Sequence, residues 1–241
     1  MDRRFDALTA FLNARLSREG SHGLHLTIGV LLLIGATSIF ALIAVELGEG
    51  GPLTLLDARF SAWLRTYHQP AAIRAMIIIS DLHSTVAVSV LTLALALYLF
   101  RLRHRCWLIT VVLTVFGGMF LNIVLKNIFL RARPQFDDPI LTLSSHSFPS
   151  GHAMAATCFY GVVAAFAFWK MREWPWRVLA ITLAVFLVLL VGFSRIYLGA
   201  HYLSDVLAAI LEGSAWLTFC LTAAHTICRV RHRERPSSAV L

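Results

Sequence analysis

Long apolar runs broken by short polar segments constrain this chain more than any other feature. Such runs occur at 24–45, 84–100, 107–125, 153–169, 178–193 and 202–227. A helix crosses about 30 Å of hydrocarbon with about 20 residues, and only structures that satisfy their backbone internally are stable there. The expected fold is therefore all-α: a polytopic membrane protein with six transmembrane helices in a bundle. The shorter runs need flanking residues that lie in the interface. With 58% apolar and 14% charged residues, the composition departs from that of a soluble domain in the same direction. The first run starts only at Leu24, has the length of a full span and is followed by no small-residue cleavage pattern, so it reads as a span and not a removable signal.

The polar segments suggest three units and an orientation. Residues 1–23 are basic, yet Phe5, Leu8, Leu12 and Leu16 recur at helical spacing, which predicts a cytoplasmic interfacial helix. Residues 24–228 form the six-span unit, and 229–241 a basic cytoplasmic tail. Lys and Arg concentrate at 3–18, 101–105, 170–177 and 229–235, so these segments are placed inside and both termini are cytoplasmic. The net charge of +8 would suggest nucleic acid in a soluble chain; distributed between apolar runs, it suggests anionic lipid and no nucleic acid. The segment 46–83, with Phe60, Trp63 and Leu64 among charges, is read as an outer amphipathic segment, a lateral lid or an interfacial anchor. Cys106, Cys158, Cys220 and Cys228 lack paired metal-ligand spacing and are expected to be free thiols.

This orientation leaves Lys126, Arg131, Arg133 and Arg195 on the outer face, where the distribution of charge disfavours cations unless chemistry needs them. Three stretches there carry reactive residue types. Lys126 and Arg133 are seven residues apart, two turns on one helical face, so both can converge on one anion. Pro149, Ser150, Gly151 and His152 open the fourth span. A helix start of this kind leaves backbone N–H groups free at the positive end of the dipole, with His152 able to protonate a leaving oxygen. In the third stretch, His201 and Asp205 are four residues apart, so that in a first helical turn the carboxylate can fix the imidazole tautomer. Arg195 precedes them, and its guanidinium fork matches phosphate oxygens; an ion pair between Arg195 and Asp205, with His201 as a polar cap, is the structural alternative.

Together these stretches resemble the signature of the type 2 phosphatidic acid phosphatase superfamily: KxxxxxxRP at 126–134, PSGH at 149–152 and SRxxxxxHxxxD at 194–205. The resemblance implies phosphoryl transfer through a phosphohistidine, with no cofactor and no metal. It makes His201 the nucleophile, Asp205 its orienting carboxylate and His152 the general acid and base. Lys126, Arg133, Ser150, Gly151 and Arg195 become the phosphate-binding set. Fixed cations can neutralise the equatorial oxygens, as this role requires.

An outer site in a multi-pass inner membrane protein suits a membrane lipid phosphate. Undecaprenyl diphosphate is the favoured substrate, ahead of phosphatidylglycerophosphate, phosphatidate and lipid A phosphates. Transfer to a second lipid through the same intermediate is the alternative, and lipid transport or binding without catalysis is the alternative of another class. Three further residues invite a role. Arg131 is read as contacting a second phosphate, a headgroup or the interface; Glu212 as pairing with a polar group inside the bundle; Asn122 as orienting Lys126 or packing.

Overall fold

The computed structural model describes residues 24–233, and the expected interfacial helix at 1–23 lies outside the described residues. Every regular element among the described residues is helical: α1 (Leu24–Gly48), α2 (Pro52–Arg65), α3 (Pro70–Leu82), α4 (Thr85–Arg101), α5 (Arg105–Phe129), α6 (Gly151–Lys170), α7 (Trp174–Tyr197) and α8 (Leu203–Arg233). Their boundaries follow local chemistry. Prolines occupy the first turns of α2, α3 and α7, where a missing N–H costs nothing. Ser84 caps α4 by accepting from the Ala87 N–H at 3.3 Å. α8 runs on to Arg233, so the first residues of the expected tail are helical.

Five of these helices, α1, α5, α6, α7 and α8, are long and apolar enough to cross a membrane. The second expected span is built differently from the sequence reading. α4 has only 17 residues and qualifies only together with α3, from which it is bent by 45°. The expected single outer segment at 46–83 is two helices, α2 and α3, and α3 continues into α4 across the bend. At the bend the His83 ring lies 2.7 Å from the Ile79 carbonyl and 2.6 Å from the Tyr160 hydroxyl, which holds the break against α6.

α6 is the axis of the bundle, packing on α4, α5, α7 and α8. Seven consecutive residues, Ala153 through Phe159, are buried, and the small side chains among them let neighbouring backbones approach. α1 packs on α8 at the periphery and leaves most of its apolar surface outward, as expected of a helix solvated by lipid. Cys106 and Cys228 correct the expectation of four free thiols: α5 begins where the last turns of α8 run, so the two are joined by a disulfide, with Cα atoms 6.5 Å apart. Their separation of 122 residues leaves no local trace in the sequence. Cys158 and Cys220 are free and buried.

Candidate active site

The three motifs meet at one end of the bundle because α5 ends, α6 begins and α7 turns into α8 there. α5 stops at Phe129, with Leu130 in a left-handed conformation (φ 51°). Arg133 is thus in the following loop and not two turns along the helix from Lys126, as the spacing suggested. The two cations converge all the same, through the loop. Lys126 Nζ donates to the His146 carbonyl at 2.7 Å, and Arg133 Nη2 donates to the same oxygen at 3.3 Å. Arg133 also donates to the Ser145 carbonyl (2.7 Å), the Ser145 hydroxyl (2.9 Å) and the Ala200 carbonyl.

His201 lies in the turn between α7 and α8, one residue short of the position before the helix start, and is almost fully buried. The turn is tight because Gly199 takes a positive φ (68°), and a Cβ there would press on the Phe136 ring at 2.8 Å. Arg133 Nη1 lies 3.3 Å from His201 Nε2. A guanidinium can only donate, so Nε2 accepts and the ring proton sits on Nδ1. Nδ1 in turn lies 3.5 Å from Asp205 Oδ2 and 3.5 Å from the Ser147 hydroxyl. The tautomer thus leaves a lone pair on Nε2, next to a fixed cation. Burial pushes the His201 imidazolium down to about 4 from an ordinary 6.5, with Arg133 and Lys126 adding to the effect and Asp205 opposing it. Burial also lowers the Arg133 guanidinium, against the pull of Asp205.

Asp205 is fully buried in the first turn of α8 and is occupied on both oxygens. Oδ2 accepts from the Tyr202 N–H at 2.8 Å and from the Ser147 hydroxyl. Oδ1 accepts from Arg131 Nη1 at 2.6 Å. The Arg195–Asp205 ion pair admitted by the sequence is therefore not formed: Arg131 takes that place, and Arg195 Nη1 donates to the Ser80 hydroxyl on α3. The other terminal nitrogen of Arg131 is paired with Asp57 of α2 at 2.8 Å, so the guanidinium is held by two carboxylates. Asp57, Ser80, Ser147 and Ser204 went unnoticed in the sequence. Only Asp57 left a signal, a carboxylate directly after two leucines in an amphipathic segment.

The start of α6 is open. Ser150 is its N-cap, yet its side chain caps nothing, and Ser150 Oγ is fully buried without a partner. Its backbone N–H donates to the Asp205 carbonyl at 3.1 Å, tying the second motif to the third. Gly151 lets α6 approach α5, since a Cβ there would stand 3.3 Å from Asn122 Oδ1. Arg195 Nε is likewise buried without a partner. Half-buried His152, on the first turn, is within Coulombic reach of Arg195, His201, Lys126 and Arg133. Buried donors without acceptors, a free helix N-terminus and convergent cations together fit a tetrahedral oxyanion. Deeper in the bundle, Asn122 donates to Glu212 at 2.9 Å, which gives Glu212 the polar partner expected of it.

With this geometry in place, the family follows. The chain belongs to the PAP2 superfamily: the family model matches residues 107–228, which contain all three motifs. Phosphatidylglycerophosphatase B of Bacillus subtilis (strain 168) is 39% identical over 115 residues, 46% of this chain and 55% of that protein. Undecaprenyl-diphosphatase of Sulfolobus acidocaldarius is 31% identical over 161 residues, 65% of this chain and 72% of that protein. The chain spans about half the length of several curated relatives that it matches. The crystal structure of the first transmembrane PAP2 type phosphatidylglycerolphosphate phosphatase from Bacillus subtilis superposes with a TM-score of 0.71 at 27% identity, covering 85% of this chain and 98% of that one.

Proposed function

We propose that this protein is a membrane lipid phosphate phosphatase that works through a phosphohistidine at His201. The observation that carries the reading is the orientation of the imidazole: its Nε2 lone pair faces the Arg133 guanidinium, where a phosphoryl group would be held. In the first step Nε2 bonds to phosphorus while the bond from phosphorus to the lipid oxygen breaks, and that oxygen takes a proton from His152. In the second, His152 accepts a proton from water, the water oxygen bonds to phosphorus, and the P–N bond breaks to free His201 and inorganic phosphate. Lys126, Arg133 and Arg195, with Ser150 Oγ and the Gly151 N–H, neutralise and orient the equatorial oxygens. Asp205 keeps the proton on Nδ1 and balances the charge that the ring gains.

The chain is proposed to span the inner membrane six times, counting α3 and α4 as one broken span. Both termini would then be cytoplasmic and the site would lie at the outer face, as the Lys and Arg distribution favours. Among lipids, phosphatidylglycerophosphate is ranked first, because the relative at 39% identity and the structure at TM-score 0.71 both bear that lipid in their names. Undecaprenyl diphosphate, favoured on the sequence, comes next. The test is phosphate release by the purified chain in detergent with EDTA, across phosphatidylglycerophosphate, undecaprenyl diphosphate, phosphatidate and lipid A. Release that persists in EDTA and is lost in His201→Ala supports the reading; folded protein that releases phosphate from none of them contradicts it.

A further inference from the structure

We propose that Asp57, on α2 and outside all three motifs, is a positioning residue of the active site: through Arg131 and Ser204 it keeps the charge of Asp205 available to His201. The proposal rests on the phosphohistidine reading. Asp57 is fully buried and both its oxygens are used. Oδ1 accepts from the Ser204 N–H at 3.0 Å; Oδ2 accepts from the Ser204 hydroxyl and from Arg131 Nη2 at 2.8 Å. Arg131 Nη1 continues to Asp205 Oδ1 at 2.6 Å and to the Ser204 hydroxyl at 2.8 Å. The guanidinium is held between two carboxylates, with its face over the Tyr202 ring at 4.4 Å.

The charges decide what this arrangement does. Asp57, Arg131 and Asp205 together carry one net negative charge, and His201 is the partner that can use it. Without Asp57, Arg131 would neutralise Asp205 alone, and the imidazolium of the phosphorylated intermediate would lose its counter-charge. Geometry works the same way. Arg131, fixed by Asp57, engages Oδ1 of Asp205 and leaves Oδ2 to Ser147, Tyr202 and His201. A simple structural pair would need one carboxylate for one guanidinium. The second carboxylate matters because Asp205 has other work.

A structural role and a positioning role are separated by the pH profile. The groups facing His201 are Asp205 on α8, Lys126 on α5, His152 on α6, and Arg133 and Ser147 from the loop; Arg131 and Asp57 act one step behind Asp205. Phosphatidylglycerophosphate hydrolysis by the full chain in detergent is measured against pH for wild type, Asp57→Asn, Arg131→Gln and the double variant. Asp57→Asn is expected to lower kcat about 10- to 100-fold, the worth of one hydrogen bond to a charged group, with KM within about twofold. It should move the acid limb of kcat/KM to lower pH, because an unbalanced Arg131 disfavours protonated His201. Arg131→Gln should move that limb to higher pH, and the double variant should bring it back to the wild-type position. If Asp57→Asn does not fold, the double variant, which replaces the pair by two neutral amides, carries the comparison with Arg131→Gln. Wild-type kcat in folded Asp57→Asn, or a double variant whose limb coincides with that of Arg131→Gln, overturns the proposal while leaving the phosphatase reading intact. Wild type that is folded yet releases no phosphate from any of the lipids overturns both.

Discussion

The network around Asp205 and the start of α6 are built on opposite principles. Around Asp205 both carboxylates are satisfied on both oxygens: Ser147, Tyr202, Arg131, Ser204 and Asp57 form one connected network. On the Ser150 side, Ser150 Oγ and Arg195 Nε are buried donors without acceptors, and the first turn of α6 has no side-chain cap. A closed network fixes the imidazole of His201, the proposed nucleophile, in one tautomer and one position. An open one holds donors that only a ligand can satisfy, so their desolvation is compensated when a phosphoryl group binds. Under the proposed mechanism the first region orients His201 and the second binds the phosphoryl group.

The most severe way to break this contrast is to remove the imidazole that the closed network orients. His201→Ala is expected to reduce phosphate release by about 10⁴-fold or more, since residues that act as a unit fail together. Phosphate assays on folded protein check this.

Two buried serines then sharpen the comparison. Ser150→Ala removes a donor meant for the transferring group, and kcat should fall about 10²- to 10³-fold. The same change deletes a buried hydroxyl with no partner, so the melting temperature in detergent should stay level or rise. Ser147→Ala does the reverse to a satisfied network: it strips a hydrogen bond from Asp205 and should lower stability by about 1–3 kcal/mol along with activity. Equal melting shifts for the two variants would erase the distinction.

Acidity offers a measure of similar size. His201 is held neutral down to about 4, against an ordinary 6.5. Between these values the unfolded chain binds a proton that the folded chain does not. Stability should therefore be lost as pH falls from 6.5 toward 4, by up to about 3 kcal/mol, and His201→Gln should flatten that slope. For the same reason the acid limb of kcat/KM should lie well below pH 6.5. Orthovanadate, as a phosphate-like oxyanion, should occupy the open side and stabilise the wild type by about 2.7 kcal/mol at 100 times its Kd, and far less in Ser150→Ala.

The smallest effect on catalysis is expected at the far end. Cys106 lies twenty residues, about 30 Å of helix, before Lys126 on α5. Reduction of the Cys106–Cys228 disulfide should cost about 2–4 kcal/mol of stability and leave kcat unchanged.

What the sequence made legible follows from the range of each interaction. Helices α5 to α8 were readable from apolar runs, and the three motifs from residues close in sequence. The convergence of Lys126 and Arg133 was readable, but through a helical face that ends at Phe129; the left-handed Leu130 that redirects the chain has no glycine to announce it. The bent pairing of α3 with α4 is not legible, because the polar break at Asp81, His83 and Ser84 looks like the edge of a run. Asp57 and Arg131 are 74 residues apart, and no periodicity links them. Serines such as Ser80, Ser147 and Ser204 have ordinary identities and acquire their roles only from what the fold brings opposite them.

The most direct test of the phosphohistidine is the stereochemical course at phosphorus. A lipid thiophosphate made chiral with oxygen isotopes is hydrolysed by the purified enzyme, and the configuration of the released thiophosphate is read by NMR. Two in-line displacements, first by His201 Nε2 and then by water, predict overall retention. Inversion would mean that water attacks phosphorus directly, and would contradict the account.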